Sequence, residues 1–222
     1  MINKKLIKIW SLGSLGSLGS CQIYIPRKKF HGSLTPEDRI RSYGKAFPKY
    51  APLHIFNGYL YGVMQIGNMY KKCTGYYGAY PHKLKERILP LFPDCNSIIH
   101  LFSGEIRDEG TLTFDIDSKL NPKICDDVRN IAKYIEIFRE IDLVMADPPY
   151  DKSDFEKYNC KPFNKTQVIR DLGSIMKSGS FLTWLDTRVP MYSKKTWRHL
   201  GYIGVIVSTN HRIRCLSLYQ KI

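Results

Sequence analysis

Ile141-Asp142-Leu143-Val144-Met145-Ala146-Asp147-Pro148-Pro149-Tyr150 is the stretch that decides the fold. A short apolar run of this kind, bounded by turn residues, reads as a buried strand. It ends abruptly in a carboxylate, two prolines and an aromatic ring. Proline fixes φ and has no N–H, and it pushes the residue before it out of the helical region. The turn is therefore stiff, with carbonyls that no ladder uses. Asp147 adds an acceptor and Tyr150 adds a flat π-face. Such a group suits a planar ring with an exocyclic NH2, as in adenine or cytosine. Asp and Pro are also ordinary turn residues, so the chemistry depends on what lies beside them.

Outward from this stretch, strands alternate with helices. Residues 97–102, 111–116, 122–125 and 181–185 read as strands. Residues 82–89, 128–139, 164–177 and 193–200 have helical spacing, the last with Gly201 as its stop. Residues 202–208 and 213–219 read as a closing hairpin around Thr209-Asn210-His211. This pattern predicts an α/β, Rossmann-like sheet, mostly parallel, with a C-terminal antiparallel hairpin. In such sheets ligands bind beyond the carboxyl ends of the strands. The acids Asp115, Asp126 and Asp147 all fall at such ends. Ser103-Gly104, after the first of these strands, lets a ligand approach the backbone. Asp115 can accept both hydroxyls of a ribose, and Asp126 an adenine amino group. Asp117 is an alternative to Asp115. There is no G-x-x-x-x-G-K-[ST] and no G-x-G-x-x-G, so no phosphate cradle. A nucleoside cofactor without a phosphate chain fits, and S-adenosylmethionine is one.

Leu101-Phe102-Ser103-Gly104, Asp115, Asp126 and Asp147-Pro148-Pro149-Tyr150 together resemble the ordered motifs of the class I S-adenosylmethionine-dependent amino methyltransferases. The resemblance covers roughly residues 76–222. It implies transfer of a methyl group to adenine N6 or cytosine N4, mainly in DNA, with no metal. It places Tyr77, Tyr80 and Pro81, in Tyr76-Tyr77-Gly78-Ala79-Tyr80-Pro81, around the methionine end of the cofactor, with Phe102, Ser103, Gly104, Asp115 and Asp126. Asp147, Pro148, Pro149 and Tyr150 become the acceptor socket, with Trp184 or Phe155 as a second contact for the base. The chain departs from the family in three places. Only residues 103–110 link the first two strands, too few for a crossover helix. The link from Asp117 to Pro122 is also short. No long insertion forms a target-recognition domain.

Charge supplies the partner. The formal net charge is +14 over 222 residues. Residues 1–90 hold 15 Lys and Arg against 3 Asp and Glu, and the rest hold 19 against 17. An excess this lopsided points to a polyanion. Residues 23–75 form a basic, aromatic region expected to recognise DNA, or RNA, with Arg27, Lys28 and Lys29 on phosphate. A helix is expected to start at Thr35-Pro36, and a hairpin within residues 55–69. His211 and Arg212, in the closing turn, are further phosphate candidates. A neighbouring possibility is an RNA base methyltransferase. From another class comes a catalytically silent nucleic-acid-binding protein with the same fold.

Six cysteines occur without a C-x-x-C pair or zinc-ligand spacing, so reduced thiols in a cytoplasmic protein are expected. Residues 1–22 read as a flexible tail with a Ser-Leu-Gly repeat. Leu18-Gly19-Ser20-Cys21 is loosely similar to a lipoprotein cleavage site, but Lys8 and three glycines interrupt the apolar run it needs. His100 and Trp184 lie within strands and are expected in the core. Asp186, after its strand, either lines the base pocket or ends the strand.

Overall fold

The computed structural model describes residues 34–67, 80–81, 83–158, 160–208 and 212–222, with the backbone of two further strands, β1 (Lys4–Leu12) and β2 (Leu18–Pro26). β1 and β2 pair antiparallel, Lys4 opposite Pro26 and Leu12 opposite Leu18. Most of the expected flexible tail is thus a ladder. The segment 4–12 and 18–26 is rich in Ile, Tyr and Trp, which favour strand over coil.

The main sheet has nine strands. In chain order they are β3 (His54–Phe56), β4 (Tyr59–Ile66), β5 (Ile98–Leu101), β6 (Leu112–Asp115), β7 (Ile124–Cys125), β8 (Leu143–Ala146), β9 (Phe181–Asp186), β10 (Trp197–Val207) and β11 (Ile213–Lys221). In space the order is β3-β4-β10-β11-β9-β8-β5-β6-β7. The chain winds outward from β5 in both directions, through β6 and β7 on one side and β8 and β9 on the other, all parallel. This is the Rossmann-like sheet expected from the sequence. The reversed strand β11 sits between β9 and β10, pairing antiparallel with both. β4 then pairs parallel with β10. The β3–β4 hairpin therefore extends the same sheet. The boundary drawn at residue 75 does not separate two cores.

Both faces of β8 are buried, as its unbroken Leu-Val-Met-Ala run requires. On one face Val144 and Ala146 join Ile99, Leu182 and Trp184 against Val168, Ile169 and Leu172 of a helix, α5 (Lys165–Ile175). On the other, Leu143 and Met145 join Phe181, Leu216 and Ile203 against α1 (Pro36–Ala46) and α2 (Leu84–Ile88). Arg39 of α1 is buried there. It forks onto both oxygens of Asp94 at 3.1 Å, and its guanidinium lies 4.3 Å from the Phe181 ring centre. Arg87 of α2 donates to the Tyr43 hydroxyl at 2.6 Å and to the Gln65 carbonyl at 2.8 Å, tying α1, α2 and β4 together.

The expected helix start at Thr35-Pro36 is present, and a hairpin lies close to the expected one. Thr35 caps α1 in a reciprocal capping box with Asp38. Asn164 caps α5, accepting from the Gln167 amide at 3.2 Å. Asn57 and Gly58, both at positive φ, close the two-residue β3–β4 turn. Other expectations do not hold. Residues 193–200 were expected to be helical, but Trp197–Val207 is a strand held between β4 and β11. Gly201 does not stop a helix. It sits in a bulge at φ 154°, where a Cβ would fall 1.8 Å from the Leu60 carbonyl oxygen. Residues 128–134 form a 3-10 helix and only Ile135–Phe138 is α-helical, as α3. No helix among the described residues is long and apolar enough to cross a membrane.

Candidate active site

The parallel strands deliver their polar residues to one edge. β5 ends in Phe102-Ser103-Gly104, β6 in Asp115, β7 in Asp126 and β8 in Asp147. A cavity of about 510 Å³ opens there, lined by Phe102, Gly104, Asp115, Asp126, Asp147 and Pro149 among others. Four strand ends chosen from the sequence thus meet in one space.

The loop after β5 is bent tightly. Phe102 and Gly104 both have positive φ, 57° and 53°. For Phe102 this conformation costs about 1–3 kcal/mol. Its compensation is visible: the Phe102 ring stacks on Phe163 at 5.4 Å and meets Trp184 edge-on. Asp115 fixes the other side of the loop. Its Oδ2 accepts from the Gly104 amide at 2.9 Å and its Oδ1 from the Asp117 amide at 3.0 Å. Ser103 is buried away from the cavity lining, and its hydroxyl has no partner.

Asp126 is held by its own 3-10 helix. Oδ1 accepts from the Asp127 amide at 2.7 Å and from Asn130 Nδ2 at 2.8 Å; Oδ2 accepts from the Tyr134 hydroxyl at 2.8 Å. Partial burial raises the Asp126 carboxyl, but hydrogen bonds from Asn130 and Tyr134 outweigh it and leave the group below its ordinary range. The Tyr134 phenol is pushed up by burial and by that same carboxylate.

The turn after β8 is pinned on three sides. The Tyr150 hydroxyl donates to Asp147 Oδ1 at 2.5 Å. The Tyr150 amide donates to Asp154 Oδ2 at 3.0 Å, and its carbonyl accepts from Lys165 Nζ at 3.1 Å. Pro148 and Pro149 are buried. The Arg214 guanidinium lies over the Tyr150 ring, 5.4 Å from its centre. Burial pushes the Asp147 carboxyl up to about 7, against the Tyr150 hydrogen bond and the Arg214 charge, which pull it down. The Tyr150 phenol is raised by burial and by Asp147.

Lys165, Asp154 and Arg214 were not anticipated. Asp154 carries a readable signal, since Asp151 caps a short helix, α4 (Lys152–Lys157), and Asp154 follows three residues later. Lys165 also holds Asp186, at 2.6 Å, and the Trp184 indole donates to the same carboxylate at 3.3 Å. Asp186 therefore anchors Lys165 beneath the turn. Trp184 is wholly buried and Phe155 nearly so, packed edge-on against Phe163. Neither presents a free face to a base. His100 is buried with no partner on either ring nitrogen, edge-on to Tyr80 at 5.9 Å, and burial lowers its pKa to about 4. The Tyr80 hydroxyl is also without a partner. Tyr80 and Pro81 are half-buried and do not line the cavity. Arg212 is exposed. Tyr77, Arg27, Lys28, Lys29 and His211 lie outside the described residues.

No protein-family model and no curated protein matches the chain. Solved structures similar to it include TrmN from Thermus thermophilus, at 12% identity and TM-score 0.37, covering 57% of this chain and 44% of that one. SMU.776, described as a methyltransferase and complexed with SAH, is 12% identical at TM-score 0.38, covering 57% and 45%. A protein of Streptococcus mutans described as SAM-dependent methyltransferase is 13% identical at TM-score 0.44, covering 78% and 57%. The chain spans under half the length of the first two, and likeness at this level does not fix an activity.

Proposed function

We propose that this chain transfers a methyl group from S-adenosylmethionine to the exocyclic amino group of a base in DNA, adenine N6 first and cytosine N4 second. The supporting observation is the shared cavity: Asp147 of the acceptor turn opens onto the same space as Asp115 and Asp126.

The residues present fit the cofactor. Each Asp115 oxygen accepts one backbone N–H and keeps a second acceptor position, enough for two ribose hydroxyls. Asp126 Oδ2 has one hydrogen bond and one position left for an adenine amino group. Gly104 leaves room for close approach, and Lys119, Lys157 and Lys161 also line the cavity. S-adenosylmethionine, when bound, supplies an electrophilic methyl carbon on a sulfonium.

The chain's own residues then position the acceptor. A base flipped from a duplex, or taken from a single strand, stacks on Tyr150, whose other face Arg214 covers. Asp147 and the Pro148 carbonyl accept from its amino group. This turns the nitrogen lone pair out of conjugation and toward the methyl carbon. With the lone pair held there, the amino nitrogen would take the methyl group and lose its proton afterwards, so a strong base would be unnecessary. Positioning of this kind lowers a barrier by several kcal/mol (about 7–11 at best).

RNA bases carry the same amino groups and are the second acceptor to test. Arg27, Lys28, Lys29, His211 and Arg212 remain the proposed phosphate contacts. Incubation with methyl-labelled S-adenosylmethionine and DNA or RNA, followed by nucleoside analysis, tests the reading. Labelled N6-methyladenosine or N4-methylcytidine, in deoxy or ribo form, supports it. No labelled nucleoside from either polymer defeats it.

A further inference from the structure

The sheet has a face that no described helix covers. α5 packs on β8, β9 and their neighbours, while α1 and α2 pack on the opposite face. Across β3, β4 and β10 the first face lies open. Phe56 is 67% exposed, Tyr59 52%, Tyr61 46% and Tyr202 38%. These are large aromatic rings, and monomeric proteins rarely leave such rings contiguous.

Register explains why they share a face. Phe56 pairs with Tyr59, and Tyr61 pairs with both His54 and Tyr202 across neighbouring strands. Leu60, Met64, Ile203 and Val205 alternate with them into the core beneath. The bulge at Gly201 moves the register between His199 and Gly201. It brings the His199 and Tyr202 rings to 3.9 Å on this face, with Tyr59 5.7 Å from His199. At about 4.8 Å between strands, the strip across β3, β4 and β10 spans roughly 10 Å. At the foot of the strip, His199 Nε2 and the Tyr219 hydroxyl are buried without hydrogen-bond partners.

Charge separates one occupant from the rest. Residues 39–67, which carry β3 and β4, contain four Lys and Arg, but Arg39 is buried against Asp94 and Arg41 pairs with Asp38, which leaves Lys45 and Lys49. Residues 187–222, which carry β10 and β11, contain seven Lys and Arg and no acid. An apolar protein partner needs no such one-sided field, whereas a polyanion does. Rings on an open sheet, inside a cationic field, match the way bases stack while the backbone follows positive charge.

We propose that the open face of β3, β4 and β10 binds single-stranded nucleic acid, stacking bases on Phe56, Tyr59, Tyr61 and Tyr202. Beyond β10 the same face is closed over at Ser217 and Tyr219 of β11, so the platform is bounded by β3, β4 and β10. Stacking tolerates any base, so the platform supplies affinity and the socket supplies selection.

The experiment reads binding without cofactor, so it is independent of methyl transfer. The probes are fluorescein-labelled 20-mers of mixed sequence, as single-stranded RNA, single-stranded DNA and duplex DNA, followed by anisotropy. Two variants are compared with the unaltered chain: Tyr61→Ala/Tyr202→Ala and Tyr61→Phe/Tyr202→Phe. The alanine pair should weaken single-strand binding at least tenfold, and the phenylalanine pair by less than threefold. Duplex should bind more weakly than either single strand, and the tighter of RNA and DNA identifies the partner. Unchanged melting temperature shows that both variants fold. Single-strand affinity unaffected by the alanine pair overturns the proposal, as does duplex binding tighter than single-strand binding.

Discussion

The Tyr150 hydroxyl donates to Asp147 Oδ1, so the two ends of the Asp-Pro-Pro-Tyr turn hold each other. The prolines between them cannot relax, which makes this bond a fixed part of the site rather than a passing contact. It also opposes what burial does to the charge of the site. The hydrogen bond lowers the Asp147 carboxyl while burial raises it, and burial prevails, leaving it near 7.

If ionised Asp147 receives the acceptor's amino group, methyl transfer rises with pH through about 7 and then levels. Tyr150→Phe keeps the ring but removes the donor. The Asp147 carboxyl then rises further, and the midpoint of the kcat/KM profile moves to higher pH. A pH–rate profile of both proteins checks this. An unmoved midpoint detaches the profile from Asp147.

The same carboxyl governs a pH dependence of stability. Its folded pKa, about 7, lies above its ordinary value of 3.8. Between these values the folded state binds the extra proton, so stability is full below about 4, falls as pH rises to about 7, and is flat above. Asp147→Asn cannot titrate. Its melting temperature should exceed that of the unaltered chain at pH 8, with the gap closing at pH 4.

Lys165 and Asp186 form the most buried charged pair beside the site, with side chains 20% and 2% exposed. Lys165→Met leaves the Asp186 carboxylate buried with the Trp184 indole, the Thr187 hydroxyl and the Thr187 and Arg188 amides as donors. Breaking such a pair costs about 3 kcal/mol, and replacing both partners restores much of it. Denaturant unfolding of Lys165→Met, Asp186→Leu and the double variant measures the coupling. Activity should fall with Lys165→Met beyond the loss of folded protein, because Lys165 also holds the Tyr150 carbonyl.

Asp115 serves the loop before it serves a ligand. Asp115→Ala orphans the Gly104 and Asp117 amides. Unmade hydrogen bonds of this kind cost about 1–3 kcal/mol each when buried. Calorimetric titration with S-adenosylmethionine should show affinity at least tenfold weaker, and Asp115→Asn should recover part of it.

Much of this architecture is legible in the chain. Short apolar runs ending in Asp115, Asp126 and Asp147 mark strands and the edge they share. Thr35 and Asn164 announce helices through side chains that accept a backbone amide. What was not legible depends on distant partners. Trp197–Val207 alternates weakly and begins like a helix; only its place between β4 and β11 makes it a strand. Lys165 and Asp186 stand 21 residues apart in no pattern. Arg214 reaches Tyr150 only because β11 runs backwards and returns its first residues to the carboxyl edge. A hairpin was expected within residues 55–69 and lies at 54–66, but nothing local states that it pairs with β10.

One comparison bears most directly on the central claim. The unaltered chain and Asp147→Ala are incubated with methyl-labelled S-adenosylmethionine and nucleic acid, and cofactor affinity is measured on both. The account expects a labelled amino-methylated base from the unaltered chain, at least a hundredfold less from Asp147→Ala, and cofactor affinities within a few-fold. Full methyl transfer by Asp147→Ala would contradict it.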